Sequence, residues 1–352
     1  MRNQTLLFGT LGLGLVTLVL LKFSGSDTPV AVPATPLVAA EILQSPKSLT
    51  LKANGRSTTI EKGPDGAWVV KDKFGLPADI ENRLRPLIVG LQKAENLGLL
   101  TSNPKRLEKL GLTESSLSIT GENGQVFNAE VGKATDDGAG VSMRLAGATA
   151  AIRTNFNGYL EADATNWMES VLFNGKSEEI KSVSFVWADG QASFSRPAKG
   201  QPFAGKEGVL VEEIANALAI MRAADATEKG NALVTAAFTK AWTVKLALFD
   251  GATVTAVFAK GPTVAPNDPP KLFTRVSHSD PKHGSNGMGT KAEFLAQSWL
   301  GEQLPSSFAE FKQRLAPPAQ PNGQPATPRL GELQGLLPTG GNGPVLAPVL
   351  AK

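Results

Sequence analysis

Two short stretches of this 352-residue chain repeat the pattern of a β-hairpin, and the repeat restricts the fold more than any other feature. "SLTLKANGRST" starts at Ser48, and "SFVWADGQASF" starts at Ser184. Each alternates apolar and polar residues, turns at Asn-Gly or Asp-Gly, and alternates again. Alternation with a period of two predicts a half-buried strand, and these dipeptides predict a tight turn between strands. The chain is therefore predicted to contain the same antiparallel unit twice.

The similarity between the two halves continues beyond the hairpins. An apolar pattern of helical spacing comes next, and then a second hairpin with its turn at Asn123-Gly124 or Asp250-Gly251, dipeptides that suit a type I′ turn. Before the second hairpin of the first copy, a short helix is predicted with Asn103 as N-cap, Pro104 at its first position and Gly111 at its end. The apolar helical positions are Ile80, Leu84, Leu87, Ile88 and Leu91 in the first copy, and Val211, Ile214, Leu218 and Met221 in the second.

The predicted fold class is α+β, with two tandem antiparallel sheet-plus-helix modules that arose by internal duplication and follow one N-terminal transmembrane helix. The first module is predicted over residues 47–180 and the second over residues 181–315, with strand Lys181–Trp187 passing directly between them. The second copy has additional loops, "GPTVAPNDPPK" and "HSDPKHGSNGMG", which make it the better candidate for a specialised site.

The N-terminal segment Thr5–Phe23 is apolar, with no charge before Lys22. Its length falls in the membrane-spanning range and slightly exceeds that of a signal-peptide core, which favours an uncleaved anchor over residues 1–23 above a cleaved signal. Residues 24–46 are predicted to form a stalk linker, and residues 316–352 a Pro/Gly-rich tail. We expect a single-pass protein of the bacterial inner membrane with the bulk of the chain periplasmic.

Composition excludes several kinds of site and partner. The absence of cysteine excludes disulfides, thiolate nucleophiles and zinc sites with Cys ligands. The net charge is only +3, and Lys and Arg are spread along the chain, which argues against a nucleic acid partner.

The order of several elements resembles the bacterial family called domain of unknown function 4340. The residues that carry the resemblance are Trp68 in a strand, Pro77-Ala78-Asp79 before a helix, and Leu110-Gly111-Leu112 after it. The resemblance covers residues 48–190 well and the second half more faintly, and the second copy lacks the tryptophan. It implies a membrane helix followed by repeated β-rich units. It also implies an envelope accessory role beside ABC-type transporters of the gliding-motility kind, with no enzymatic activity to carry over.

The two histidines of the chain, His278 and His283, flank Asp280 in one Gly- and Pro-containing loop. Imidazole and carboxylate ligands suit zinc or iron. A third strong ligand is not close in sequence, so an exposed polar loop is the favoured interpretation.

Other candidate motifs are better explained structurally. "VGKAT" at Val131 lacks the first glycine of a phosphate loop, and Ser102–Lys105 and Ser279–Lys282 lack the companions of a serine–lysine nucleophile. Asp136-Asp137 is explained by a turn without calcium. No catalytic, cofactor-binding or metal-binding residue is assigned. Core packing is favoured over a sugar-binding face for the five tryptophans, Trp68, Trp167, Trp187, Trp242 and Trp299.

Three functions stay open from the sequence. The favoured one is a non-enzymatic, membrane-anchored periplasmic accessory or scaffold subunit of an ABC-transporter-linked envelope complex, whose partners are membrane or envelope proteins bound by strand addition at an open sheet edge. The alternatives are an envelope hydrolase or metal-dependent enzyme that uses the His278/His283 loop, and a module that binds cell-wall glycan.

Overall fold

The chain folds into two antiparallel β-sheets with helices packed on them, as seen in a computed structural model that describes residues 34–135, 138–158, 160–262 and 270–316. The first sheet contains β1 (Thr35–Pro36), β2 (Pro46–Ala53), β3 (Arg56–Lys62), β4 (Trp68–Val70), β5 (Leu76–Pro77), β6 (Glu95–Thr101), β7 (Ser115–Gly121), β8 (Val126–Ala134), β9 (Val141–Leu145) and β10 (Ala151–Thr154). The second contains β11 (Val171–Asn174), β12 (Ile180–Trp187), β13 (Gly190–Ser195), β14 (Ile220–Glu228), β15 (Trp242–Leu248), β16 (Thr253–Lys260), β17 (Leu272–His278) and β18 (Ala292–Ala296).

The helices of the described residues are short. They are α1 (Ala40–Gln44), α2 (Arg85–Gln92), α3 (Pro104–Leu107), α4 (Gly208–Ala219), α5 (Ala232–Ala237), α6 (Gly284–Lys291), α7 (Ser298–Gln303) and α8 (Phe308–Leu315). A π-helical turn, Ile80–Leu84, leads into α2, and Pro86 lies where its missing N–H removes no bond of the α-helix.

The two sheets have the same strand order. The first runs β1-β6-β10-β9-β8-β7-β2-β3-β4-β5, and the second runs β11-β14-β18-β17-β16-β15-β12-β13. If β1 is matched with β11, β2 with β12 and β6 with β14, every strand of the second sheet has a counterpart in the same position. Only the first sheet continues past this common set, with β4 and β5. The predicted α+β fold with two sheet modules is confirmed.

Several segments lie elsewhere than predicted. Strand β12 pairs with β13 and β15 and belongs wholly to the second sheet, so it is not shared between modules. Strand β11, from the region predicted as the first module, pairs with β14 of the second sheet. In the predicted stalk, β1 pairs with β6 and α1 buries Ile42 and Leu43.

The type I′ turn predicted at Asn123-Gly124 and at Asp250-Gly251 forms at neither place, but a turn of this type does form at the first hairpin of the first copy. Asn54 and Gly55 both have positive φ, 51° and 75°, so this turn is type I′. In the β12–β13 hairpin Trp187 pairs with Gly190, so Gly190 lies in the strand and not at the turn centre.

At the other two hairpins a type I turn is followed by a glycine bulge. Only the glycine has positive φ, 80° at Gly124 and 92° at Gly251. The preceding side chain supplies the remaining contact, because Asn123 Oδ1 accepts from Gln125 N and Asp250 Oδ1 accepts from Ala252 N. The two copies thus use the same turn.

Each sheet buries one helix face, as the helical spacing predicts. Leu84, Leu87 and Leu91 are buried in the first unit, and Val211, Ile214 and Leu218 in the second. Full burial of such a side chain contributes about 1.5–3 kcal/mol, so these stripes fix the helices on the sheets. The predicted start of α3 is confirmed, because Asn103 Oδ1 accepts from Lys105 N at 3.0 Å and Pro104 is the first helical residue. The α-helix ends at Leu107, and a 3-10 turn, Glu108–Leu110, continues it to Gly111, which has φ 66°.

The sheets meet at a junction formed by β4–β5 of the first and β11–β14 of the second. Glu169 N donates to Pro77 O at 2.7 Å, and Ala223 N donates to Ser170 O at 2.7 Å. Lys73 Nζ forms an ion pair with Asp225. These contacts place the segment before β11 against both sheets.

Among the described residues no helix is long and apolar enough to cross a membrane. The predicted transmembrane helix at Thr5–Phe23 and the predicted tail beyond Ala316 lie outside the described residues.

Candidate functional site

The structure brings His278 and His283 together as a stacked pair, with ring centroids 4.4 Å apart and an interplanar angle of 15°. His278 ends β17, and His283 precedes α6. His278 Nδ1 accepts from Asp280 N at 3.0 Å, and His283 Nδ1 accepts from Ser285 N at 3.3 Å. A neutral imidazole with an accepting Nδ1 has its proton on Nε2.

This tautomer opposes metal binding through Nε2. When a histidine binds a metal through one ring nitrogen, the N–H of the other ring nitrogen normally donates a hydrogen bond to a neighbouring group. In both His278 and His283 that other nitrogen, Nδ1, accepts a hydrogen bond instead. No group of three or more His, Asp or Glu side chains in the described ranges is arranged to hold a metal ion. The geometry assigns the two rings to a turn and a helix cap.

The other sequence motifs lie in ordinary structural positions. Gly132 of "VGKAT" is inside β8, where a Cβ would come within 2.4 Å of Leu110 O, so the glycine permits close packing. Ser102–Lys105 spans the start of α3, and Ser279–Lys282 forms a turn in which Lys282 N donates to Asp280 Oδ1. Asp136-Asp137 lies outside the described residues.

Tryptophans pack mainly in the interior. Trp167, Trp187 and Trp242 are buried. Trp68 is half-buried, with Lys62 Nζ 5.8 Å from its ring centroid. Trp299 is 41% exposed and is the most exposed of the five.

One charged cluster was not foreseen from the sequence. Glu293 in β18 is buried and receives two hydrogen bonds of 2.8 Å from Arg275, with Lys229 Nζ at 3.3 Å. Burial opposes ionisation, but the two cations outweigh it and hold the pKa of Glu293 below its ordinary value. Arg275 also lies 3.8 Å from the Phe238 ring centroid. The cluster is fully paired and therefore structural.

The open strand edges provide a clearer candidate site. Edge strands β5 and β11 lie at the junction between the sheets, and β1 has only two residues. The remaining edge strand, β13, has six residues and no strand neighbour beyond β12 in the described part of the chain. Its counterpart β3 pairs with β4. The second sheet therefore leaves uncovered an edge that the first sheet covers itself.

The register of β13 shows which backbone groups face outward. The pair Trp187–Gly190 closes a two-residue turn, so Gly190, Ala192 and Phe194 bond to β12 and the alternate residues do not. Ser195 O accepts from Ala204 N at 3.3 Å, which covers that end of the edge. The N–H and C=O groups of Gln191 and Ser193 thus point away from the sheet.

A groove of about 630 Å³ runs along this edge and is named here the β13 groove. Strand β13 forms its floor. Lys206 and Glu207, which directly precede α4, form one wall, and α8 forms the other. The apolar lining is half-buried, and two lysines and one glutamate stand at the rim. The lining includes Gln191, Ser193, Phe194, Phe308 and Leu315.

Helix α8 is held in place by the hairpin turn itself. Asp189 Oδ1 accepts from Phe308 N at 2.9 Å and Oδ2 accepts from Ala309 N at 3.0 Å. Below the turn, Phe311 packs 5.5 Å from the Phe194 ring centroid and 5.6 Å from that of Trp187. The groove wall is therefore fixed to the strand that forms the floor.

Sequence reasoning missed α8, although a signal for it was present. Ser307 and Glu310 form a capping pattern in which Ser307 Oγ accepts from Glu310 N at 3.0 Å. Glu310 Oε2 in turn accepts from Ser306 N at 2.8 Å. A serine followed three residues later by a glutamate marks a helix start, and the apolar spacing after it predicts one buried face.

A protein family described as domain of unknown function (DUF4340) matches residues 68–241. The match begins at β4 and ends just before β15, so it crosses from the first sheet into the second. No curated protein and no solved structure gives a significant match.

Proposed function

We propose that this protein, whose residues 68–241 match the family described as domain of unknown function (DUF4340), is a non-enzymatic accessory subunit that binds an extended segment of a partner protein along the β13 groove. The observation that carries the proposal is the outward direction of the Gln191 and Ser193 backbone groups into an apolar-walled groove. Unpaired strand-edge groups are a template for a further strand.

The groove supplies both parts of such recognition. A strand beside β13 receives main-chain hydrogen bonds, each of which contributes about 0.5–1.5 kcal/mol. Alternate side chains of that strand enter the space between Phe194 and Leu315, where apolar contact adds affinity and selects among sequences. The bound segment is therefore extended, with small or apolar residues at alternate positions.

The repeat supports this choice of ligand. In the first sheet the equivalent edge of β3 is occupied by β4, with Ile60 opposite Val70 and Lys62 opposite Trp68. Strand β4 has the sequence Trp-Val-Val, an apolar extended segment. If the two sheets arose by duplication, as we propose, the first copy carries the kind of strand that the second takes from a partner.

The remaining parts of the proposal rest on the sequence. Thr5–Phe23 anchors the protein in the bacterial inner membrane, and the two sheets lie on the periplasmic side. The resemblance to proteins beside gliding-type ABC transporters supports a membrane or envelope protein as partner.

The test uses the tagged full chain, extracted in mild detergent after expression in its own host, with quantitative identification of co-purifying proteins. Leu315→Glu places a charge in the groove wall, and Val186→Glu places the same charge on the 52% exposed side chain of β12 as a control. We expect a defined envelope partner with wild type and the control, and its loss with Leu315→Glu. Recovery of a monomer alone, or equal loss in both variants, contradicts the proposal.

A further inference from the structure

Strands β6 and β14 occupy the same position in the two sheets, but their surroundings differ. Each is next to the edge and pairs at its start with a short strand, β1 or β11. In the second sheet, the first unit covers β14 beyond that start. Asp225 receives Lys73 Nζ and, at 3.1 Å, Thr165 Oγ1.

The corresponding part of β6 is uncovered. Its pairing with β1 ends at Asn96, and beyond it the outer side of β6 has no strand neighbour among the described residues. Leu99 and Leu100 follow, with 70% and 39% of their surface exposed. They are two consecutive large apolar side chains at the position where the other sheet forms its junction.

A groove of about 440 Å³ lies beside this strand and adds positive charge. Leu100 and Leu110 contribute apolar lining, and Arg106, Lys109 and Arg153 contribute positive charge. Neither Arg106 nor Lys109, which are both exposed, forms an ion pair within the part of the chain that the structure describes. We call Leu99, Leu100, Arg106 and Lys109 the β6 patch.

We propose that the β6 patch is a second docking surface, which takes an extended segment of a partner protein with apolar side chains flanked by carboxylates. The leucines supply apolar contact, and the two cations select a partner of opposite charge. A second copy of this chain fits less well, because a two-fold axis through the patch brings like charges together. The β6 patch belongs to the first sheet and the β13 groove to the second, and the two surfaces share no residue.

The experiment measures binding of two synthetic peptides to the full chain in mild detergent by fluorescence anisotropy. Both peptides have the same alternating Leu/Val core, and they are flanked by glutamates or by lysines. We expect the glutamate-flanked peptide to bind roughly tenfold more tightly at low salt, with the difference reduced by added salt. Equal affinities for the two peptides overturn the proposal.

Variants separate charge from apolar contact. Arg106→Glu combined with Lys109→Glu reverses the preference between peptides, which a merely unfolded variant cannot do. Leu99→Ser combined with Leu100→Ser weakens binding roughly tenfold, whereas Val126→Ser, at a 52% exposed position of the same sheet, has no effect. Equal weakening by Val126→Ser contradicts the assignment.

Two further measurements complete the test. Leu315→Glu leaves peptide binding at the β6 patch unchanged, so failure at one surface is distinguishable from failure at the other. Analytical ultracentrifugation that shows a dimer lost in the Leu99→Ser/Leu100→Ser variant overturns the acidic partner in favour of a second copy.

Discussion

Asp189 shows how one side chain in a turn can determine where a helix lies. Both carboxylate oxygens accept backbone N–H groups from the first turn of α8. These hydrogen bonds hold the pKa of Asp189 below its ordinary value of 3.8. The stabilising contact is therefore complete above that pH and is lost as the pH falls through the lowered value.

Replacement Asp189→Ala is expected to loosen α8 without unfolding the sheets. Loss of a helix-start acceptor leaves two N–H groups unsatisfied, so the amides of Phe308 and Ala309 should exchange hydrogen roughly fivefold faster. Hydrogen–deuterium exchange measures this directly. Asp250→Ala is the matched control, because Asp250 occupies the β15–β16 hairpin turn and accepts a hydrogen bond from Ala252 N within its own loop. Equal acceleration at α8 in both variants contradicts the role of Asp189.

His283 couples the stability of the α6 region to pH. Burial first, and then the adjacent His278, lower the pKa of His283 below its ordinary 6.5, against an opposing contribution from Asp280. The unfolded chain therefore binds a proton more readily than the folded one. The stability that His283 provides is complete above about pH 6.5 and declines as the pH falls toward the lowered folded-state pKa.

His283→Asn separates titration from capping, because Asn is a good N-cap and has no proton to gain. We expect urea unfolding of wild type to show a stability loss between about pH 7.5 and pH 5.5 that is smaller in His283→Asn. His283→Ala should lose about 1 kcal/mol above about pH 7.5, since the acceptor for Ser285 N is removed, and its difference from wild type should shrink as the pH falls. An unchanged pH dependence in His283→Asn assigns the titration to another group.

At the scale of elements, β13 offers a test that depends on register alone. Ser193 N–H points outward, whereas Ala192 N–H bonds to β12 opposite Phe185. Proline removes an N–H at either position, so the two substitutions differ in which side of the strand they affect.

Ser193→Pro is expected to abolish partner binding at the β13 groove while it lowers stability by less than about 1.5 kcal/mol. Ala192→Pro should cost about 1–3 kcal/mol more than Ser193→Pro, because it breaks the ladder to β12 and leaves an acceptor of that strand unsatisfied. Thermal unfolding and co-purification of the partner from the same preparations measure both effects. Greater destabilisation by Ser193→Pro than by Ala192→Pro shows that the register is wrong.

Local sequence patterns predict the helices of this fold better than the turns between its strands. Helical spacing at Leu84, Leu87 and Leu91 identified the α2 region, and Asn103-Pro104 identified the start of α3, because both signals lie within a few residues. The type of turn at Asn123 was not predicted correctly. Asn-Gly fits both a type I′ turn and a type I turn with a glycine bulge, and the strand pairing decides between them.

At the scale of the whole molecule, the candidate site depends on contacts that no short segment contains. Strand β3 is covered because β4 pairs with it, whereas β13 has no such neighbour in the described part of the chain. The position of α8 beside β13 depends on the contact between Asp189 and Phe308, which lie more than a hundred residues apart in the sequence. The repeat could be recognised from sequence because both copies keep the same alternation. The differences between copies, which create the groove and the β6 patch, could not.

The junction between the two sheets is expected to make them unfold together. Lys73 in the first unit is 14% exposed in its side chain and pairs with Asp225, and Lys291 at the end of α6 donates to Gly75 O at 2.7 Å. The Lys73–Asp225 ion pair is partly buried, so its contribution should lie between those of a surface ion pair and a buried one. Its loss should weaken the coupling between the two sheets by about 1–2 kcal/mol.

Lys73→Met combined with Lys291→Met removes both contacts while it keeps the apolar parts of the side chains. We expect differential scanning calorimetry to show one transition for wild type and two for this variant, since each sheet retains its own buried helix. Lys62→Met combined with Lys199→Met is the matched control, because each of these lysines pairs within one sheet unit, with Glu122 and Glu179. A single transition in both variants means that buried apolar side chains such as Trp167 and Met168 are sufficient to couple the sheets. Two transitions in wild type would show that the sheets are independent and that the polar contacts do not hold them together.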